Sequence, residues 1–253
     1  MFEIIRIPAF KDNYIWLLRK GASAAVVDPG DASPVLSLVS REALTLSAIL
    51  LTHYHQDHQG GVSQLLSHFP VAVYGPATES ITALTHPLHG GETFPIPGLE
   101  CDFQVYATPG HTAGHLAYVC DGALFCGDTL FAGGCGRVFE GTPEQMYDSL
   151  HRLASFPDST QVYCAHEYTE ANLRFALAVE PGNRLLRDRV DEVAVARAKS
   201  VATVPSTIGI EKATNPFLRC SVPEVAASAR RHGAASDQPV DVFSALRKWK
   251  NEF

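Results

Sequence analysis

The chain has 253 residues, 46% hydrophobic and 19% charged, enough for one sizeable core or a core with a small second domain. No run approaches about eighteen uninterrupted apolar residues, so nothing resembles a membrane span, and MFEIIRIPAFKDNY lacks the order of a signal peptide, so a cytoplasmic protein is expected. The net charge of −7 is uneven: residues 1–169 hold 7 of the 20 basic and 17 of the 27 acidic side chains, and residues 170–253 hold 13 and 10. An acidic body argues against nucleic acid as partner, and a basic C-terminal part suits a modestly anionic ligand.

Short apolar runs separated by turn signals fill the first two thirds. FEIIRI, YIWLLR, AAVVD, LSAILLTH, VAVYG, CDFQVYAT, HLAYVC, ALFCGD and TQVYCAH read as strands, rich in β-branched and aromatic residues. The pair Asp121-Gly122 predicts a tight hairpin turn between two of them. Helices are predicted over SPVLSLVSREA, with Ser33 as N-cap and Pro34 at the first helical position, over GGVSQLLSHF, and over TPEQMYDSLHRLASF. Beyond residue 170 the pattern turns helical, in TEANLRFALAVEP, NRLLRDRVDEVAVARAKS, VPEVAASARRH and DVFSALRKWKNEF. The chain thus divides into residues 1–169 and a helical part, residues 170–253. Six scattered cysteines with no CxxC pair are expected to be reduced, mostly buried thiols.

The stretch LTHYHQDHQGG places His53, His55, Asp57 and His58 just beyond a strand, where functional groups commonly sit on a rigid scaffold. His53, His55 and Asp57 alternate, so they project in related directions while the chain stays extended, and His58 adds a second direction as a helix begins. Four ligand-type side chains from one segment exceed what a single tetrahedral zinc with an open position takes, and two ions fit better. His111, Asp128 and His166 each follow a later apolar run beside small residues. With a bridging Asp128, His53, His55 and His111 would serve one ion and Asp57, His58 and His166 the other. Zinc, iron and manganese all suit such donors. Hydrolysis is the natural chemistry, because paired ions activate water and polarise a carbonyl or phosphoryl oxygen. Cys135 in GGCGR has no readable base partner.

The HxHxDH signature at His53–His58, followed in order by His111, Asp128 and His166, resembles the metallo-β-lactamase superfamily. The VVDPGD segment also matches, with Asp28 as a supporting or structural residue. The resemblance implies an α+β fold, an αββα sandwich with two metal ions at one edge. The segments GDTLFAGGCGRVFEG, AHEYTEANLRFA, NPFLR and LRKWKNEF look like glyoxalase II, the hydroxyacylglutathione hydrolase family, over essentially the whole chain. That family hydrolyses S-D-lactoylglutathione, the second step of methylglyoxal disposal. It implies a small helical C-terminal domain, two divalent ions, zinc foremost, and a small-molecule glutathione thioester as the partner of a monomer. It further implies a hydroxide between the ions attacking the thioester, Asp57 and Asp128 anchoring the ions and tuning it, and Arg137, Tyr168, Arg247 and Lys250 contacting glutathione. Phe139 stands where some members carry a tyrosine, so one hydroxyl contact is absent. Asn215 and Arg219 are read as fixing the helical part against the metal domain. Glutathione persulfide dioxygenase, a lactonase and a metal-binding module without activity are the alternatives.

Overall fold

The computed structural model describes residues 2–81 and 83–253, which form two separately packed units. The first runs to Ala107 and resumes over Ala113–Gly127; the second holds Thr108–Thr112 and Asp128–Phe253. Among the described residues no helix is long and apolar enough to cross a membrane.

In the first unit, β1 (Glu3–Ala9), β2 (Asn13–Lys20), β3 (Ser23–Val27), α1 (Ala32–Arg41) and β4 (Thr45–Leu50) lead into a one-turn helix α2 (Gln56–Gln59). Then follow α3 (Val62–His68), β5 (Ala72–Pro76), β6 (His86–Leu88), β7 (Thr93–Pro95), β8 (Asp102–Ala107), β9 (Leu116–Cys120) and β10 (Ala123–Gly127). Strands β1 to β6 lie in sequence order in one sheet, antiparallel as far as β3 and parallel from there on. The sheet's inner strands read as continuous apolar runs because both faces are covered. On one face, Val35, Leu38 and Val39 of α1, spaced as one helical stripe, pack with Val62 and Leu65 of α3 against Val26, Ile49 and Val73. Strands β7 to β10 form an antiparallel ladder, in which Asp121 and Gly122 take φ of 48° and 77° at the predicted turn. Tyr74 stacks on Phe94 at 4.2 Å, and the Tyr118 hydroxyl donates to Leu51 O, tying ladder to sheet.

Two expectations change here. The cap of α1 is Asp31, not Ser33: the Asp31 carboxylate accepts from Ser33 N, so the helix starts earlier than Pro34 suggests. The chain is also not extended through Asp57. His55 (φ −61°, ψ 147°) is the residue before α2, so Asp57 and His58 are adjacent positions of a helical turn.

The second unit opens with a short hairpin, β11 (Leu130–Phe131) and β12 (Gly134–Cys135), then α4 (Pro143–Ala154), β13 (Gln161–Cys164), α5 (Thr169–Val179) and α6 (Arg184–Ala198). The strand β14 (Ser206–Thr207) pairs with β13, and α7 (Ile208–Thr214), a 3-10 turn (Pro216–Leu218), α8 (Pro223–Arg231) and α9 (Pro239–Glu252) complete it. Thr142 and Gln145 close a capping box on α4. Phe175, Phe217 and Phe243, all fully buried, contact one another in a row, with Trp249 against Phe175.

Glu211, fully buried, is the polar centre of this unit. Its Oε1 accepts from Arg189 Nη2 at 2.6 Å and from Ser206 Oγ, and its Oε2 accepts from Gly133 N at 2.8 Å and Asn215 Nδ2 at 3.0 Å. Every partner matters, because a buried ion pair is favourable only when its remaining donors and acceptors are satisfied. Asn215 also donates to Phe131 O and Gly134 O, so NPFLR holds the β11–β12 hairpin as expected. Arg219 instead pairs with Glu180 through two nitrogens.

Candidate active site

Asp28 ends β3 with φ 52°, a left-handed conformation that aspartate tolerates. Its Oδ1 accepts from Thr52 N at 2.8 Å; its Oδ2 accepts from Thr52 Oγ1 at 2.7 Å and His58 Nδ1 at 3.0 Å. A carboxylate can only accept, so His58 carries its proton on Nδ1. The Thr52 hydroxyl gives its single proton to Asp28 and must therefore accept from His53 Nδ1, 3.0 Å away. One buried carboxylate thus sets the tautomer of two imidazoles and leaves both Nε2 lone pairs for another partner. His53 Nε2 lies 3.0 Å from His55 Nδ1, and His58 Nε2 lies 3.5 Å from Asp57 Oδ2. Ligand atoms sharing one tetrahedral zinc at normal bond lengths stand about 3.3 Å apart. Gly30 is required here, since a Cβ would meet Asp57 O at 1.9 Å. His115, fully buried, stacks on His53 at 4.8 Å.

In the second unit Asp128 faces two imidazoles with different oxygens: Oδ2 lies 3.5 Å from His111 Nε2 and Oδ1 lies 3.4 Å from His166 Nε2. His111 Nδ1 donates to Arg137 O at 2.8 Å, which again directs Nε2 inward. The His166 ring stacks on Tyr168, 4.7 Å away and nearly parallel. Gly136 admits the Asp128 carbonyl, which a Cβ would meet at 1.9 Å. In both units the donors are imidazoles and carboxylates in opposed pairs, so the residues present fit divalent metal ions.

His111 and Asp128 also line a cavity of about 400 Å³ with Phe131, Arg137, Tyr168 and Lys250. Arg137 reaches solvent, and Phe139, 60% exposed, flanks His111 at 5.2 Å. Arg247 borders the cavity but is buried: Nη1 donates to Cys135 O at 2.8 Å and Nη2 to Asn251 Oδ1 at 3.1 Å. Burial pushes the Lys250 ammonium down to about 8, with repulsion from Arg247 and Arg174 adding to it. It donates to Ala171 O and lies over Phe175 at 5.2 Å. Burial raises the Cys135 thiol, which counts against a thiolate nucleophile. Sequence reasoning missed Thr52, Asn13 and Asn172, whose roles depend on contacts distant in sequence. Asn172 lines the cavity and donates to Ala132 O at 3.1 Å.

Two family models match adjoining parts of the chain: the metallo-beta-lactamase superfamily over residues 10–166 and the hydroxyacylglutathione hydrolase C-terminus over residues 167–253. The hydroxyacylglutathione hydrolase of Alkalilimnicola ehrlichii is 56% identical over the full length of both chains, and that of Nitrosomonas eutropha 51%. The chain belongs to the hydroxyacylglutathione hydrolase family. Its fold is the α+β metallo-β-lactamase fold with a C-terminal helical region. The crystal structure of ETHE1 from Myxococcus xanthus superposes with a TM-score of 0.66 at 24% identity, covering 99% of this chain and 98% of that one. TTHA1623 in a di-iron-bound form gives 0.60 at 26%, covering 85% and 100%. A hydroxyacylglutathione hydrolase of this superfamily is a metal-dependent enzyme acting on a small molecule, and the donors above suit divalent ions.

Replacing Asp28 tests the tautomer argument. In Asp28→Asn an amide N–H must face a donor at Thr52 or His58. Zinc affinity, measured by chelator competition, is expected to fall by about 10–100-fold.

Proposed function

We propose that the chain hydrolyses S-D-lactoylglutathione to D-lactate and glutathione. The observation that carries this reading is the cavity in which the metal-ligand candidates His111 and Asp128 share a wall with the cationic side chains Arg137 and Lys250. Glutathione brings two carboxylates to such a cavity, and its thioester must sit beside the ligands. Residues 1–169 form the metal-binding part in this reading and residues 170–253 the helical glutathione-binding part.

His53, His55 and His111 hold one ion, Asp57, His58 and His166 the other, and Asp128 serves both; its two oxygens facing different histidines support that division. Zinc is the ion we favour. Two such ions, when bound, supply an acidified water and polarisation of the thioester carbonyl. The protein's residues do the rest. Arg137 and Lys250 bind carboxylate, Arg247 steadies β12 just ahead of Arg137 and borders the same anion, and Tyr168 packs beside His166 against the glutathione chain. Asp57 and Asp128 would anchor the ions and tune the water they activate. The glutathione sulfur leaves as a thiolate and needs little acid help. One chain supplies the whole ligand set, consistent with a monomer. We place the chain in the cytoplasm, whose reducing conditions suit its six buried thiols.

Purified protein is expected to consume S-D-lactoylglutathione, followed by loss of thioester absorbance, and to stop when a chelator strips the metal. Turnover that survives metal removal, or none with metal bound, would overturn the reading. Lys250 gives a pH signature. It is protonated below about 8 and neutral above, so kcat/KM is expected to fall as pH rises through about 8. Lys250→Arg should keep the plateau at higher pH.

A further inference from the structure

Asp57 is a candidate ligand of the first unit with a substantially exposed side chain, at 42%. Exposed carboxylates rotate freely, yet a metal ligand must present one oxygen. The restraint comes from 44 residues upstream. Asn13, the first residue of β2 and only 7% exposed, donates from Nδ2 to Asp57 Oδ2 at 3.0 Å, with Asp57 O 3.5 Å from the same nitrogen. The amide orientation follows from chemistry, because a carboxylate offers no proton and only the NH2 end of the amide can face it. The hydrogen bond is charge-assisted and largely shielded from water on the Asn13 side. The backbone of Asp57 also runs close against Gly30, where a Cβ would meet Asp57 O at 1.9 Å. Asp57 is therefore held at its carbonyl and at one carboxylate oxygen.

We propose that Asn13 is a positioning residue that orients the Asp57 carboxylate for metal binding. This rests on the ligand role given to Asp57 above. His53 and His58 are supported through Asp28, and Asn13 does the corresponding work for the carboxylate ligand of the same segment. Its loss should weaken one metal site and leave the other, with glutathione binding unaffected, since Asn13 belongs to neither the cavity nor its cationic residues.

The test compares wild type, Asn13→Ala, Asn13→Asp and Asp57→Asn, each stripped of metal and titrated with zinc against a chromophoric chelator. In Asn13→Ala one of the two zinc affinities is expected to fall about 10-fold, equal to about 1.4 kcal/mol, with the other kept. Its kcat should fall with KM little changed, and its metal-free melting temperature should match wild type. Asn13→Asp, which sets a carboxylate against a carboxylate, should be worse than alanine. Unchanged zinc affinities in Asn13→Ala beside a loss in Asp57→Asn would overturn the inference alone. Equal loss at both zinc sites with a lowered metal-free melting temperature would also overturn it, as a merely structural role. Unchanged affinities in Asp57→Asn would overturn the ligand role of Asp57 and this inference with it.

Discussion

The Asp28 carboxylate at the end of β3 is the interaction on which the first unit's chemistry depends. It is 3% exposed, and a buried carboxylate is tolerated only when its oxygens are well occupied by donors. The three donors it finds come from the end of β4 and from α2. The parallel pairing of β3 with β4 brings those strand ends side by side, so the sheet's register and the histidines' protonation are one arrangement. The cost of burying this charge is offset by the same hydrogen bonds that aim His53 and His58.

The second unit applies this logic to a stretch of backbone. From Phe131 to Arg137, side chains donate to the carbonyls of Phe131 and Gly134 (Asn215), Ala132 (Asn172), Cys135 (Arg247) and Arg137 (His111). Glu211 accepts from the amide of Gly133 between them. Backbone so occupied cannot rearrange without leaving buried groups unpaired. It carries Arg137, supports His111 and borders the cavity, so the helices reach the cavity chiefly through the backbone they hold. A site built this way is ordered before metal or substrate arrives, which is what orientation-dependent catalysis requires.

Much of this was legible in the sequence. The seven candidate ligands stood out because imidazoles and carboxylates just past apolar strands have few structural uses, and the Asp121-Gly122 turn was dictated by local backbone chemistry. What escaped depends on pairing across long separations. Asn13 sits in an unremarkable KDNY, and nothing local ties it to Asp57. Nothing local marks Glu211 and Arg189 as a buried pair, and the short α7 carried too little periodicity to stand out. The placement of Asp57 on a helical turn was missed because an HxHxD alternation mimics a strand, whereas the backbone turns at His55.

The central claim is that the protein, not the metal, fixes the imidazole tautomers. The most direct measurement is a long-range proton–nitrogen correlation spectrum of the histidine rings in metal-free protein at neutral pH. The account predicts that His53, His58 and His111 each carry the proton on Nδ1, with Nε2 bare. Nε2-protonated or averaging rings that adopt this state only after zinc is added would contradict it.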